Sequence, residues 1–152
     1  MARTTRKLTA APTKQLVRRE IALLLDSLDE AFDKKSWHGP NLRSSIRGVS
    51  PVGAAWRPAP GRHSIQELTV HAAYWKYVVR RRITGEKRGS FALPGSNFFP
   101  RPAANAVLWK ADIAAITELP ASAPQTLHLI RGAAAHDLYH AGQIRLLRRL
   151  KR

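Results

Sequence analysis

Apolar residues recur every three or four positions in four segments of the chain, which is the spacing of one buried face of an α-helix. The first segment runs from about Lys14 to Phe32. Its stripe consists of Val17, Ile21, Leu24, Leu28 and Ala31. The second begins at Ser64, where SIQE matches a capping box, and ends near Gly85. Its stripe consists of Ile65, Leu68, Ala72, Trp75, Val79 and Ile83.

The third and fourth segments follow the same rule. The third runs from about Ala103 to Leu119, with Val107, Ile113 and Ile116 as expected core residues. The fourth runs from about Ala123 to Leu150, after a second possible capping box at Ser122 and Gln125. Its predicted seam is Leu129, Ala133, His136, His140, Gln143, Leu147 and Leu150. No alternating strand pattern competes, so the sequence predicts an all-α protein.

The connections between these segments are long and rich in proline and glycine. A short helix over about Leu42–Ile46 is expected in the first connection, with Trp37 and Trp56 packed onto the helices. Phe91, Phe98 and Phe99 make a later loop too apolar for a free linker. The pattern predicts one four-helix bundle over residues 14–152, with long crossover connections, after a basic flexible tail at residues 1–13.

The composition excludes some classes of function but does not identify one. A chain of 152 residues suits one domain, and 26 Lys+Arg against 10 Asp+Glu give a formal charge of +16. That charge fits either a nucleic-acid-binding surface or a solvated basic exterior, and its spread over several segments favours the exterior. The absence of cysteine excludes disulfides, a cysteine nucleophile and cysteine-ligated zinc. No secretory signal or run of ~18 apolar residues is present, so we expect a cytoplasmic location without membrane contact.

Three histidines carry the candidate chemistry. His136 and His140 are four residues apart, so they project from the same side of the last helix. His71 lies on a face of the second helix that borders its apolar stripe. Three imidazoles that converge in a helical interior can bind a metal ion and leave positions open for water or substrate. Hydrogen-bonded core histidines are the alternative, and spacing alone leaves both open. The three other histidines, at positions 38, 63 and 128, are not expected to be ligands.

Several motifs resemble the DinB/YfiT-like superfamily of metal-dependent enzymes. They are HAAYW on the second helix, AHDLYHAGQIRLL on the fourth, and WHGPN followed by WRPAPGRHSIQEL between the first two. The resemblance implies a four-helix bundle, often a homodimer, that binds a divalent cation through His71, His136 and His140. It also implies a transferase of low-molecular-weight thiols, a hydrolase or an isomerase. The stretch between Trp109 and His136 is shorter than the family pattern, which affects the expected pocket wall.

With the histidine spacing, the resemblance therefore implies a metal-dependent transferase or hydrolase that acts on a small molecule, such as a low-molecular-weight thiol. The metal is expected to be Zn, Ni, Fe or Mn. Glu67 and Gln143 are candidate catalytic residues, although capping is the favoured role of Glu67. Two alternatives stay open: a basic nucleic-acid-binding bundle that uses RRLKR and VVRRRITGEKR, and a metal-binding bundle without catalysis.

Overall fold

A computed structural model describes residues 14–37, 39–101, 104–117 and 127–151, without the side chains of residues 127 and 128. Within these ranges the protein forms six α-helices and no strand. They are α1 (Lys14–Phe32), α2 (Leu42–Ile46), α3 (Pro51–Ala55), α4 (Ile65–Thr84), α5 (Ala106–Thr117) and α6 (Leu127–Leu150). The predicted all-α class is confirmed, whereas the four-helix bundle with crossover connections stays a prediction. The basic tail, His38, the Ser122–Gln125 capping box and the His128 side chain lie outside the described residues.

The ends of α4 are set by the local signals that predicted them. Ser64 Oγ accepts from the Glu67 N–H at 3.2 Å, and Glu67 Oε2 accepts from the Ser64 N–H at 3.1 Å. Both halves of the capping box are therefore present. Gly85 ends the helix in the left-handed conformation, with φ at 73°, where a side chain would be disfavoured.

Helices α4 and α6 form the centre of the structure. Helix α6 packs against α1, α2 and α4, and α4 packs against α3, α5 and α6. His71 lies beside His140, and one turn further along α4 Trp75 lies beside His136. Residue numbers rise along one helix as they fall along the other, so α4 and α6 are antiparallel. The short helices α2 and α3, of which only α2 was predicted, lie in the connection from α1 to α4.

The buried seam of α6 differs from the predicted one by about one residue. Its most buried members are Ile130, Ala134, Asp137, His140, Ala141, Ile144 and Leu147. The predicted member Leu150 is 56% exposed, and His136 and Gln143 are half-buried at the edge of the seam. The four-three spacing was correct, but a neighbouring row of residues satisfies it equally well. His136 consequently lies at the border of the core, where solvent or a ligand can approach.

Other predictions about packing had mixed outcomes. The Phe91, Phe98 and Phe99 loop packs onto the helices, and Trp56 is partly buried against the core, as expected. Trp37 is 94% exposed and Val107 is 77% exposed, so both were wrongly assigned to packed positions. The stripe of α1 is mostly half-buried, with only Ala31 fully covered. No helix among the described residues is long and apolar enough to cross a membrane.

Candidate metal centre

Three imidazoles meet between α4 and α6. His136 Nε2 lies 3.2 Å from His71 Nε2 and 3.0 Å from His140 Nε2. One ligand atom from each ring falls within 4.8 Å of the others. His71 and His140 are buried, and His136 is half-buried. The three residues that the sequence singled out are therefore brought together, and they could hold a metal ion.

A hydrogen bond fixes the proton of His140 on the far side of its ring. His140 Nδ1 lies 2.7 Å from Gln143 Oε1, an oxygen that can only accept. The Gln143 amide is oriented in turn, because its Nε2 donates to the Tyr139 hydroxyl at 3.1 Å. With Nδ1 as the donor, a neutral His140 presents the lone pair of Nε2 to the other histidines.

Asn97 fixes the proton of His71 on Nδ1 in the same way. The main-chain oxygen of Asn97 accepts from His71 Nδ1 at 2.9 Å, so the Nε2 of His71 also carries a lone pair. The Asn97 side chain accepts from Trp75 Nε1 at 3.1 Å, which holds the loop against two successive turns of α4. Asn97 has a φ of 64°, a left-handed conformation that asparagine tolerates better than most residues. Sequence reasoning missed Asn97, and its only local signal was an asparagine two positions after a glycine in PGSN.

The resulting set of donors suits a cation. The lone pairs of His71 and His140 both point towards His136 Nε2, and one proton on His136 cannot satisfy both in good geometry. Two nitrogens bound to one zinc-like ion at about 2.1 Å in tetrahedral geometry lie roughly 3.4 Å apart. The observed separations of 3.0 and 3.2 Å are close to that value. Three imidazoles, two of them oriented by hydrogen bonds at Nδ1, are thus a fitting divalent-metal site.

The surroundings keep the imidazoles uncharged. Burial lowers the pKa of His140 to about 4, although the Gln143 hydrogen bond acts in the opposite direction. Burial, followed by the charges of His140, His71 and Lys76, lowers the pKa of His136 to about 4. Burial also lowers the pKa of His71 against the effect of the Asn97 carbonyl. All three rings are neutral at pH 7, which is the form that binds metals.

Phe98 covers one side of the centre. Its ring stacks on His71 at a centroid distance of 4.0 Å, and His63 stacks on it from the other side at 3.8 Å. The two stacks are nearly parallel, with interplanar angles of 10° and 4°. His63 is therefore held near the centre but is separated from His71 by a phenyl ring.

The Glu67 carboxylate makes contacts that stabilise the start of α4. One oxygen pairs with Arg57, and the other accepts from the Ser64 N–H and lies 3.4 Å from His63 Nδ1. Burial alone would raise the pKa of Glu67, but the hydrogen bonds from Arg57 and Ser64 outweigh it and lower the pKa. These contacts account for the favoured capping role. The alternative role of Glu67 as a general base, and any catalytic role of Gln143, stay predictions.

A buried ion pair next to the centre was not anticipated. Lys76 Nζ lies 2.9 Å from Asp137 Oδ2, and the Asp137 side chain is only 1% exposed. The ammonium group also lies 3.3 Å from the centroid of the Phe32 ring, which brings α1 into contact with the pair. Burial raises the pKa of Asp137 to about 6, against the effect of Lys76. The signal in the sequence was a lysine on α4 and an aspartate between the two α6 histidines.

Searches for family models, curated proteins and solved structures that match this chain each found none. The class that the fold and the site support is an all-α protein with a three-histidine centre able to bind a metal. The DinB/YfiT-like resemblance stays a prediction that depends on the sequence motifs.

Proposed function

We propose that this protein is a metal-dependent enzyme with a DinB/YfiT-like four-helix bundle. In this proposal His71, His136 and His140 bind one divalent cation, and the reaction is a transfer of a low-molecular-weight thiol or a hydrolysis. The main support is the convergence of two oriented Nε2 lone pairs on the Nε2 of His136, between two antiparallel helices. Zinc, nickel, iron and manganese are the candidate ions, since imidazole binds several divalent metals.

Three protein nitrogens leave coordination positions for water or substrate, which is typical of catalytic rather than structural sites. When bound, such an ion supplies a Lewis acid that lowers the pKa of a bound water or thiol. The chain's own residues position the ligands: Gln143 and Asn97 keep the imidazole protons on Nδ1. Phe98 and Trp75 shield His71 from water on the loop side. The half-buried edge of His136 is the approach that we assign to the substrate.

The homodimer that the resemblance implies is part of the proposal. Leu23, Leu146 and Leu150 are more than half exposed, and such apolar surface favours association. Light scattering coupled to size-exclusion chromatography would show twice the chain mass. A monomer at all concentrations would remove the dimer and leave the metal proposal intact.

Cobalt substitution followed by a turnover screen tests the function. We expect Co(II) added to chelator-treated protein to give visible absorption bands of a low-coordinate site, and His140→Ala to lose them. Loaded protein should then conjugate a thiol to an electrophile, or hydrolyse an ester or amide, in a panel of each class. Activity should disappear on chelation and return on reloading.

The outcomes separate the alternatives. Metal binding with no turnover across the panel would favour a metal-binding bundle without catalysis. Absence of the cobalt bands in wild type would overturn the metal-dependent proposal. The nucleic-acid alternative rests on charge alone and predicts affinity for duplex DNA that falls steeply with salt.

A further inference from the structure

A small groove leads away from the candidate metal centre between α4 and α6. Its volume is about 180 Å³, and the described residues that line it all belong to these two helices. At one end lie His136 and Trp75, and at the other lie Arg82 and Leu129. Because the helices are antiparallel, the groove runs along both of them, from the histidines towards the C-terminal end of α4.

The walls of this groove are mainly apolar. Val78, Val79, Leu129 and Ala133 provide side-chain carbons on both sides. Gly132 leaves space on the α6 side, since a Cβ atom placed there would meet nothing within 4 Å. The Lys76–Asp137 pair also lines the groove, and its opposite charges compensate each other at 2.9 Å. The walls therefore suit an uncharged hydrocarbon segment rather than a second ion.

Arg82 places a positive charge at the far end. The neighbouring arginines are engaged, since Arg80 pairs with Glu86 at 2.7 Å and Arg81 donates to the main-chain oxygen of Glu86. The Arg82 side chain has no hydrogen bond or ion pair with any residue that the structure describes, and it is exposed. An exposed guanidinium group at the end of an apolar groove matches a carboxylate or a phosphate.

The length of the groove sets the size of its occupant. Arg82 lies two helical turns beyond Trp75, which is about 10 Å along the axis. We propose that the groove binds the apolar body of a small anionic substrate, whose reacting end lies at His136 and whose carboxylate or phosphate pairs with Arg82. This inference rests on the proposed function for the identity of the reacting end, but the binding of the anionic apolar part requires no metal.

The first arm of the test uses metal-free protein and calorimetry. Hexanoate and hexyl phosphate are compared with hexanol, which has the same hydrocarbon chain without the charge. We expect at least one anion to bind about tenfold more tightly than hexanol, through a charge-assisted contact with Arg82. Whichever anion binds more tightly identifies the terminal group. Arg82→Gln should abolish the preference, whereas Arg145→Gln, a control at an exposed arginine of α6 that lines a cavity sharing no residue with the groove, should retain it.

Filling the groove gives a matched steric test. Gly132→Leu should abolish hexanoate and hexyl phosphate binding while the protein stays folded, since leucine favours the helix and its Cβ atom would meet nothing within 4 Å. Ala135→Leu, at an exposed position of the same helix, should leave binding unchanged. Binding that survives Gly132→Leu, or an anion preference that survives Arg82→Gln, would overturn the inference.

The second arm uses cobalt-loaded protein and 6-mercaptohexanoate. The thiolate-to-cobalt absorption band reports the reacting end, and hexanethiol and 3-mercaptopropanoate are the controls that lack the charge or the length. We expect about tenfold tighter binding of 6-mercaptohexanoate than of either control, and loss of that advantage in Arg82→Gln. Equal affinities would overturn the inference even if cobalt binds. If cobalt does not bind, the proposed function fails, and the metal-free arm still decides whether the groove takes an anion.

Discussion

At the scale of single residues, the proton positions on two imidazoles decide what the centre can do. Gln143 Oε1 and the Asn97 carbonyl are acceptors, so the Nδ1 atoms of His140 and His71 are donors. The spacing of the histidines in the sequence predicted that they would meet, but not which nitrogen would face inwards. Gln143 was a candidate without a role, and its contact with His140 provides a structural one. Asn97 is far away in sequence, so no local pattern could have linked it to His71.

The outer hydrogen bond of His140 should affect metal affinity. Gln143→Leu removes the acceptor for Nδ1 and frees the ring to adopt the other tautomer. We expect divalent-metal affinity to fall by about 10-fold to 100-fold, as is usual for such partners. Competition with a chromophoric chelator measures it. Tyr139→Phe removes only the hydroxyl group that orients the Gln143 amide, so it should reduce the metal affinity less. If Gln143→Leu binds the metal as tightly as wild type, the contact does not position His140.

The lowered histidine pKa values predict how the metal-free protein responds to acid. An unfolded histidine titrates near 6.5, whereas His136 and His140 titrate near 4 in the folded protein. Between these values the unfolded state binds more protons, so the free energy of unfolding should decrease as pH falls from 6.5 to 4. Urea denaturation across this range measures the slope. His136→Phe should reduce the slope, and an unchanged slope would contradict the assignment to these rings.

At the scale of elements, the positions of the helices along the chain were predicted better than the faces that they bury. Capping and termination signals located α4 closely, because such signals act through local backbone groups. The seam of α6 was misassigned because Ile130, Ala134, Asp137, Ala141 and Ile144 repeat with the same spacing as the predicted row. The predicted row contained the histidines and did not contain Asp137. Asp137 is nevertheless fully buried, because Lys76 on another helix pairs with it.

Loss of one charge of this ion pair should destabilise the protein more than loss of both charges. Removing one charge leaves the other buried without a partner, so we expect Lys76→Met or Asp137→Leu alone to lower the free energy of unfolding by about 3–5 kcal/mol. The double variant replaces the pair with apolar side chains and should be clearly more stable than either single variant. Urea denaturation of the four proteins, as a double-mutant cycle, gives the coupling energy. Additive losses would show that the two charges do not depend on each other.

At the scale of the whole molecule, the charge of +16 and the buried histidine centre belong to different parts of the protein. The basic residues that the structure describes lie mainly on exposed surface, whereas the three imidazoles lie where α4 and α6 meet. Composition therefore gave little information about the site, and helix periodicity gave most of it. The loop contacts of Asn97 and Phe98 and the groove towards Arg82 depend on tertiary packing, which no periodicity in one segment encodes.

Elemental analysis of protein purified without a histidine tag tests the central claim most directly. The comparison includes wild type, His140→Ala and His63→Ala, where His63 is a nearby histidine outside the group of three. We predict about one divalent ion per chain in wild type and in His63→Ala, and a large loss in His140→Ala. The same metal content in wild type and His140→Ala would contradict a metal centre formed by His71, His136 and His140.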